Sequence, residues 1–110
     1  MIDALSSMMF RNNLMQAVAT VQTEFGDAYL KRLCRHFAHK IPAMNEGRTG
    51  RIEFPFGVCH IDVTDTEMRF RVEIDDPDHL DRAKRVLEDH LTRMANRDEP
   101  EFQWHAAETS

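Results

Sequence analysis

In the middle of the chain, apolar and polar residues alternate with a period of two along consecutive stretches, and helix-like periods flank them on both sides. Arg51 to Phe56 sets Ile52, Phe54 and Phe56 against Arg51, Glu53 and Pro55. Val58 to Thr64 sets Cys59, Ile61 and Val63 against His60, Asp62 and Thr64. Met68 to Ile74 sets Met68, Phe70, Val72 and Ile74 against Arg69, Arg71 and Glu73. Such alternation marks strands with one face in a core and the other in water. Gly57 and the polar Asp65-Thr66-Glu67 segment are short links, so the stretches form an antiparallel meander. Pro55 has no amide to donate, which puts its strand at an edge or ends it there. Earlier, Met15, Ala17, Ala19 and Val21 alternate with Gln16, Val18 and Thr20, and a further strand is expected from Leu14 to Val21.

Ala28 to Pro42 reads as a helix. At about 100° per residue, Leu30, Leu33, Phe37 and Ile41 share one stripe with Cys34 on its flank. Lys31 and Arg35 point to solvent, and the other flank gathers Tyr29, Arg32, His36, His39 and Lys40. Thr23 is the expected N-cap. Pro42 closes the helix, because it disfavours the helical conformation of Ile41 and has no amide to continue the ladder. Ala43 to Gly50, punctuated by Gly47 and Gly50, is expected to be a loop. Asp76-Pro77 opens a second helix, with the aspartate at the N-cap and the proline at the first helical position. Leu80, Ala83, Leu87, Leu91 and Met94 form its core stripe. Asp78/Arg82, Asp81/Arg85 and Asp89/Arg93 are spaced as acid-first i, i+4 pairs on its exposed side. Residues 96–100 end it, and Phe102 and Trp104 lie in an alternating tail that suits a short final edge strand.

The order β-α-β-β-β-α, with that optional last strand, gives an α+β fold. It is a single antiparallel β-sheet with two helices packed on one face and the other face open. Residues 1–13 follow neither period and are expected to be a flexible N-terminal arm. Residues 14–105 form one α+β domain, and 106–110 are a tail.

Composition narrows the function. At 110 residues the chain is one domain with a sizeable core. Lys+Arg 14 against Asp+Glu 19 gives a formal charge of −5, which argues against general nucleic-acid affinity. No apolar run approaches the roughly 18 residues of a membrane span. Met1 to Phe10 carries Asp3 where an export signal would be basic. A cytoplasmic protein with Cys34 and Cys59 reduced and buried is therefore expected. There is no phosphate loop, dinucleotide fingerprint or nucleophile elbow. Cys59 and His60, adjacent on a strand, point to opposite faces and make no dyad, whereas His60 and Asp62 share the open face and can orient each other.

The chemistry concentrates on the first helix. Tyr29, Arg32, His36, His39 and Lys40 bring an aromatic ring, cations and imidazoles from one rigid element beside the core, the make-up of a small-ligand site. Those donors suit a carboxylate, a catecholate or a phosphate. His36 and His39, three residues apart, also suit a transition metal or the edge of a haem, with His90 or His60 as a third ligand. The simpler alternative is a solvated basic flank with histidines bonded to polar groups at a core boundary.

Several stretches are similar to a known pattern: Tyr29-Leu30, the run Leu33-Cys-Arg-His-Phe-Ala-His-Lys-Ile-Pro42, Gly50-Arg-Ile-Glu-Phe-Pro-Phe-Gly-Val-Cys59, and His90-Leu-Thr-Arg93. Together they resemble the bacterial family known as domain of unknown function 2218, from about the first strand to Trp104. Some relatives occur beside, or fused to, siderophore-interacting flavin reductases, so the resemblance implies a loose link to iron and siderophore handling. It carries over no catalytic residues and no cofactor. The reading is a non-enzymatic binding or accessory protein for a small ligand or a partner protein. Metal or haem binding through the helix-one histidines is one alternative. A structural homodimer formed through Val18, Val58 and the open sheet face is the other.

Overall fold

A computed structural model describes residues 15–95 and 98–106. The expected arm lies outside the described residues, as do residues 107–110 of the expected tail. The elements are β1 (Met15–Gln22), α1 (Gly26–Phe37), β2 (Ala43–Glu46), β3 (Thr49–Phe54), β4 (Gly57–Val63), β5 (Glu67–Ile74), α2 (Pro77–Met94) and β6 (Gln103–Ala106). The strands form one sheet in the order β2-β3-β4-β5-β1-β6, every neighbouring pair antiparallel. The fold is α+β, as the alternation predicts. Ala19, Val21, Ile52, Cys59, Ile61, Phe70 and Val72 share one core with Leu30, Leu33 and Phe37 of α1 and Ala83, Leu87 and Leu91 of α2, so both helices cover the same sheet face.

The sheet is larger than the pattern suggests. The expected loop at 43–50 is the hairpin β2–β3, with Glu46 paired to Thr49 across Gly47 and Arg48. Gly47 sits at φ 58 and no other described residue has positive φ, so the turn follows the type II′ pattern with glycine first. At the other end, β3 finishes just before Pro55, as expected, and because Phe54 pairs with Gly57 the turn is Pro55-Phe56 rather than Gly57. Proline has no amide for the ladder, so pairing stops before it.

α1 also has different ends. Its N-cap position is Phe25, without a side-chain cap. The Thr23 hydroxyl accepts from the Phe25 amide at 3.0 Å and donates to Asp98 at 2.6 Å, so it shapes the approach to the helix instead of capping it. The last turn is looser: Lys40 and Ile41 both donate to the Phe37 carbonyl, at 3.0 and 2.9 Å. The helix stops short of Pro42 because the Pro42 carbonyl already accepts from Glu53, which requires extended chain there. α2 begins as expected, with the Asp76 carboxylate accepting from the Asp78 amide at 2.9 Å. None of its acid-first pairs closes to an ion pair among the described residues. Trp104 on β6 donates instead to Glu88 at 2.5 Å and packs under Lys84.

Candidate functional site

The end of α1, the turn between β3 and β4, and the middle of α2 meet at one end of the helical layer. Phe37, the last residue of α1, sets its ring edge-on to Phe54 at 5.4 Å between centroids. Phe54 stacks on Phe56 at 5.4 Å and 7°. The Pro55-Phe56 turn is what places an aromatic ring where a turn would normally put a polar side chain. From α2, His90 lies 4.8 Å from Phe37 and 4.8 Å from His36, and Arg82 sits 5.8 Å over the Phe56 ring. His79 flanks Phe56 at 5.2 Å.

His79 apart, these side chains enclose a cleft of about 380 Å³, with Ile41 and Val86 completing its apolar wall and Lys40 and Arg82 as its charged groups. Among the described residues, no carboxylate lines it. His90 is held in place by its own helix: Nδ1 lies 2.7 Å from the Val86 carbonyl one turn back, so the N–H donates there and Nε2 is left as the free ring nitrogen. Desolvation pushes the His36 imidazole below its ordinary pKa, helped by His90, His39, Lys40 and Arg93 nearby. A ligand entering this cleft meets flat aromatic walls, two imidazoles and a positive rim.

The residues expected to act together on the α1 flank are split. His36 and Lys40 line the cleft, and His90 joins them from α2. Tyr29 is 1% exposed, and its hydroxyl donates to Asp98 near the start of the last strand. Arg32 is exposed and donates to the Met94 carbonyl at 3.3 Å. His39 lies on the exposed turn after α1 and is not among the residues lining the cleft. The chain thus brings together His36 and His90 but not His39, and among the described residues no group of three or more metal-ligating side chains is assembled. Phe54, Phe56 and Arg82 belong to the cleft without having stood out in the sequence.

The open face is organised otherwise. His60 pairs with Glu73 at 3.3 Å rather than with Asp62, and Gln16 donates to the same carboxylate at 3.1 Å. Val18 is only 5% exposed within the single chain, between its strand partners Arg71 and His105.

The cleft lies within residues 36–90, and the sequence profile described as "Uncharacterized protein conserved in bacteria (DUF2218)" matches residues 18–105. The chain belongs to that family. A solved relative supports the same architecture. The NMR structure of PA4090 from Pseudomonas aeruginosa aligns with a TM-score of 0.70 and 30% identity, over 83% of this chain and 95% of that one. No curated protein matches the chain. The DUF2218 span therefore contains the sheet from within β1 to within β6, both helices and every residue of the cleft. No helix among the described residues is long and apolar enough to cross a membrane.

Proposed function

We propose that this DUF2218 protein is a non-enzymatic binding domain that takes a small planar anion into the cleft between α1, the β3–β4 turn and α2. The observation that carries the reading is the pairing of a stacked aromatic wall, Phe54 on Phe56, with Lys40, Arg82 and two imidazoles and, among the described residues, no lining acid. A flat ring gains by stacking against Phe54 and Phe56, while a carboxylate or catecholate oxygen finds cationic donors at the rim. Among the described residues of the cleft, none sets a nucleophile beside a base, which favours binding over turnover. That some relatives occur beside, or fused to, siderophore-interacting flavin reductases makes an aromatic, iron-related ligand a sensible first choice, with a cytoplasmic role as an accessory to iron handling.

The test is an amide NMR titration with a dihydroxybenzoate, repeated with Arg82→Glu and Lys40→Glu. Saturable shifts at His36, Phe37, Phe54 and His90, weakened by either charge reversal, are expected. Shifts spread over the open face, or none, would sink the reading. A second reading rests on the 4.8 Å approach of His36 and His90, which suits two imidazole ligands for a transition metal or haem. Zinc and haem belong in the same titration, since a metal binds neutral imidazole and an anion prefers the protonated form, giving opposite pH trends. The homodimer alternative has less support, because Val18 is already covered by its own chain and a second copy would bury little more there.

A further inference from the structure

β2 is an edge strand, and its free side opens onto a groove of about 280 Å³ between it and the outer surface of α1. The hairpin fixes which backbone groups face that groove. A two-residue loop is closed by a hydrogen-bonded pair, here Glu46 and Thr49, and antiparallel pairs alternate between bonded and non-bonded. Met44–Arg51 is then the next bonded pair, and the Glu53 amide donating to the Pro42 carbonyl at 2.9 Å continues the same phase. Ala43 and Asn45, in the non-bonded pairs, turn their amides and carbonyls outward. Among the described residues, no hydrogen bond takes up those outward groups.

The groove is chemically one-sided. Lys31 and Arg35, successive on the exposed face of α1, line it beside Ala43 and Asn45, with Cys34 at its floor and, among the described residues, no acid in the lining. Neither cation has an ion pair within 4 Å among the described residues. Met44 at the same edge is 61% exposed, the large apolar side chain that the described fold leaves most in water.

From these observations we infer that β2 is a docking edge for an extended, acidic segment of a partner polypeptide, which adds a strand beside Ala43–Glu46 with its acidic side chains against Lys31 and Arg35. Backbone bonds to the outward groups of Ala43 and Asn45 supply the affinity, and the cations supply the selection. A second copy of this chain is the poorer occupant. Pairing β2 with β2 about a two-fold axis would bring Lys31 and Arg35 of one copy toward the same cations of the other, a like-charge contact that opposes closure. The inference is independent of the cleft: the two share no lining residue, the groove lying on the Lys31–Arg35 side of α1 and the cleft on its His36–Lys40 side.

The experiment uses the full chain and two capped pentapeptides, one of alternating glutamate and valine and its lysine–valine counterpart, followed by amide NMR. The acidic peptide should give saturable shifts at Lys31, Arg35, Ala43 and Asn45, with binding roughly tenfold weaker on going from low to high salt. Asn45→Pro removes an amide that β3 does not use, so it should fold normally and lose the peptide. If that variant does not fold, Lys31→Glu with Arg35→Glu, both at exposed positions, carries the test by switching preference to the basic peptide. No saturable shift at β2, equal binding of both peptides, or undiminished binding by the variants would overturn the inference. Concentration-dependent dimerisation broadening β2 resonances would overturn it too, by making a second copy the occupant.

Discussion

Replacing Tyr29 with phenylalanine separates a core anchor from a ligand residue. The ring is 1% exposed, packs near Phe25, and its hydroxyl donates to one oxygen of Asp98 while Thr23 donates to the other at 2.6 Å. This shared carboxylate ties the chain just before the last strand to the start of α1. Tyr29→Phe keeps the ring and opens no cavity, so the loss is the hydrogen bond to a charged acceptor, about 1.5–3 kcal/mol. Asp98 is half-buried and water can replace part of the bond, which places the expected loss near the low end, about 1.5 kcal/mol. For a domain of this size that corresponds to a fall in Tm of roughly 8 °C. Thermal unfolding by far-UV circular dichroism reads it, and a double cycle with Thr23→Val should show coupling because both hydroxyls share one carboxylate. Alkaline pH gives a second readout. Burial, and then Asp98, raise the phenol above its ordinary value of 10.0, so the folded chain holds that proton more tightly than the unfolded one. The associated stability is present below the ordinary value and is lost as the pH climbs toward the raised one, a loss that Tyr29→Phe should abolish. An unchanged Tm would refute the anchoring argument. A Tyr29→Phe protein of reduced stability that also lost anion binding in the cleft would refute the separation of anchor from site.

Other expectations follow from the same packing. At Gly57 an added Cβ would lie 2.3 Å from the Glu73 carbonyl oxygen and 2.6 Å from Ile74 Cδ1, so Gly57→Ala should cost about 3 kcal/mol by denaturant unfolding. Gly47→Ala meets open space and should cost only the left-handed backbone penalty, about 1 kcal/mol; equal costs at the two positions would contradict the account. Cys34 and Cys59 are free and buried, so neither should react with a thiol reagent in the folded protein while both react in denaturant without reductant; rapid labelling of the native chain would be the contrary result. Burial also raises both thiols above their ordinary value of 9.0, so their contribution to stability is complete below that pH and declines above it. His36 behaves oppositely: its folded pKa is lowered from 6.5, so its contribution is present above that pH and lost as the pH falls below it. The urea midpoint of His36→Gln should therefore vary less between neutral and mildly acid pH than that of the parent protein, and an identical profile would count against the assignment.

Most of the fold is legible in the sequence because period-two and helical patterns report which face of an element is buried, and that is what the core depends on. Ile61, Phe70, Leu33 and Leu87 all lie where their periods put them. β2 escapes because its stability is not encoded in its side chains. Ala43–Glu46 is intermediate at its first residue and exposed at the next three, and the segment is a strand because Gly47 allows the turn and β3 offers a ladder. The end of α1 escapes for a related reason. Pro42 predicts a stop, but the actual end is set four residues earlier than Ile41 by the need for extended chain at the Glu53–Pro42 hydrogen bond.

The cleft was harder to read, because helical phase says which residues share a flank and not which of them a neighbouring element will cover. Tyr29 and His36 both lie off the apolar stripe, yet Asp98, from a distant part of the chain, reaches the first, while His90 reaches the second. Tyr29 is thereby drawn into the core and His36 is left at the rim of a cavity. The usable signal lay outside the helix: Phe54-Pro55-Phe56 places an aromatic in a turn that offers it no strand to bury it, and Arg82 stands on α2 with an acid in register that it does not bind. An apolar ring in a tight turn must find its cover across the gap between elements, and the cation above it is placed by that ring rather than by its helical neighbour. The proposed ligand contact thus follows from a misfit between turn chemistry and residue type. Phe56→Asn should restore polar turn chemistry without adding charge, leave the sheet intact, remove the ring under Arg82, and weaken anion binding in the cleft. Unchanged binding would mean that the aromatic wall is packing only.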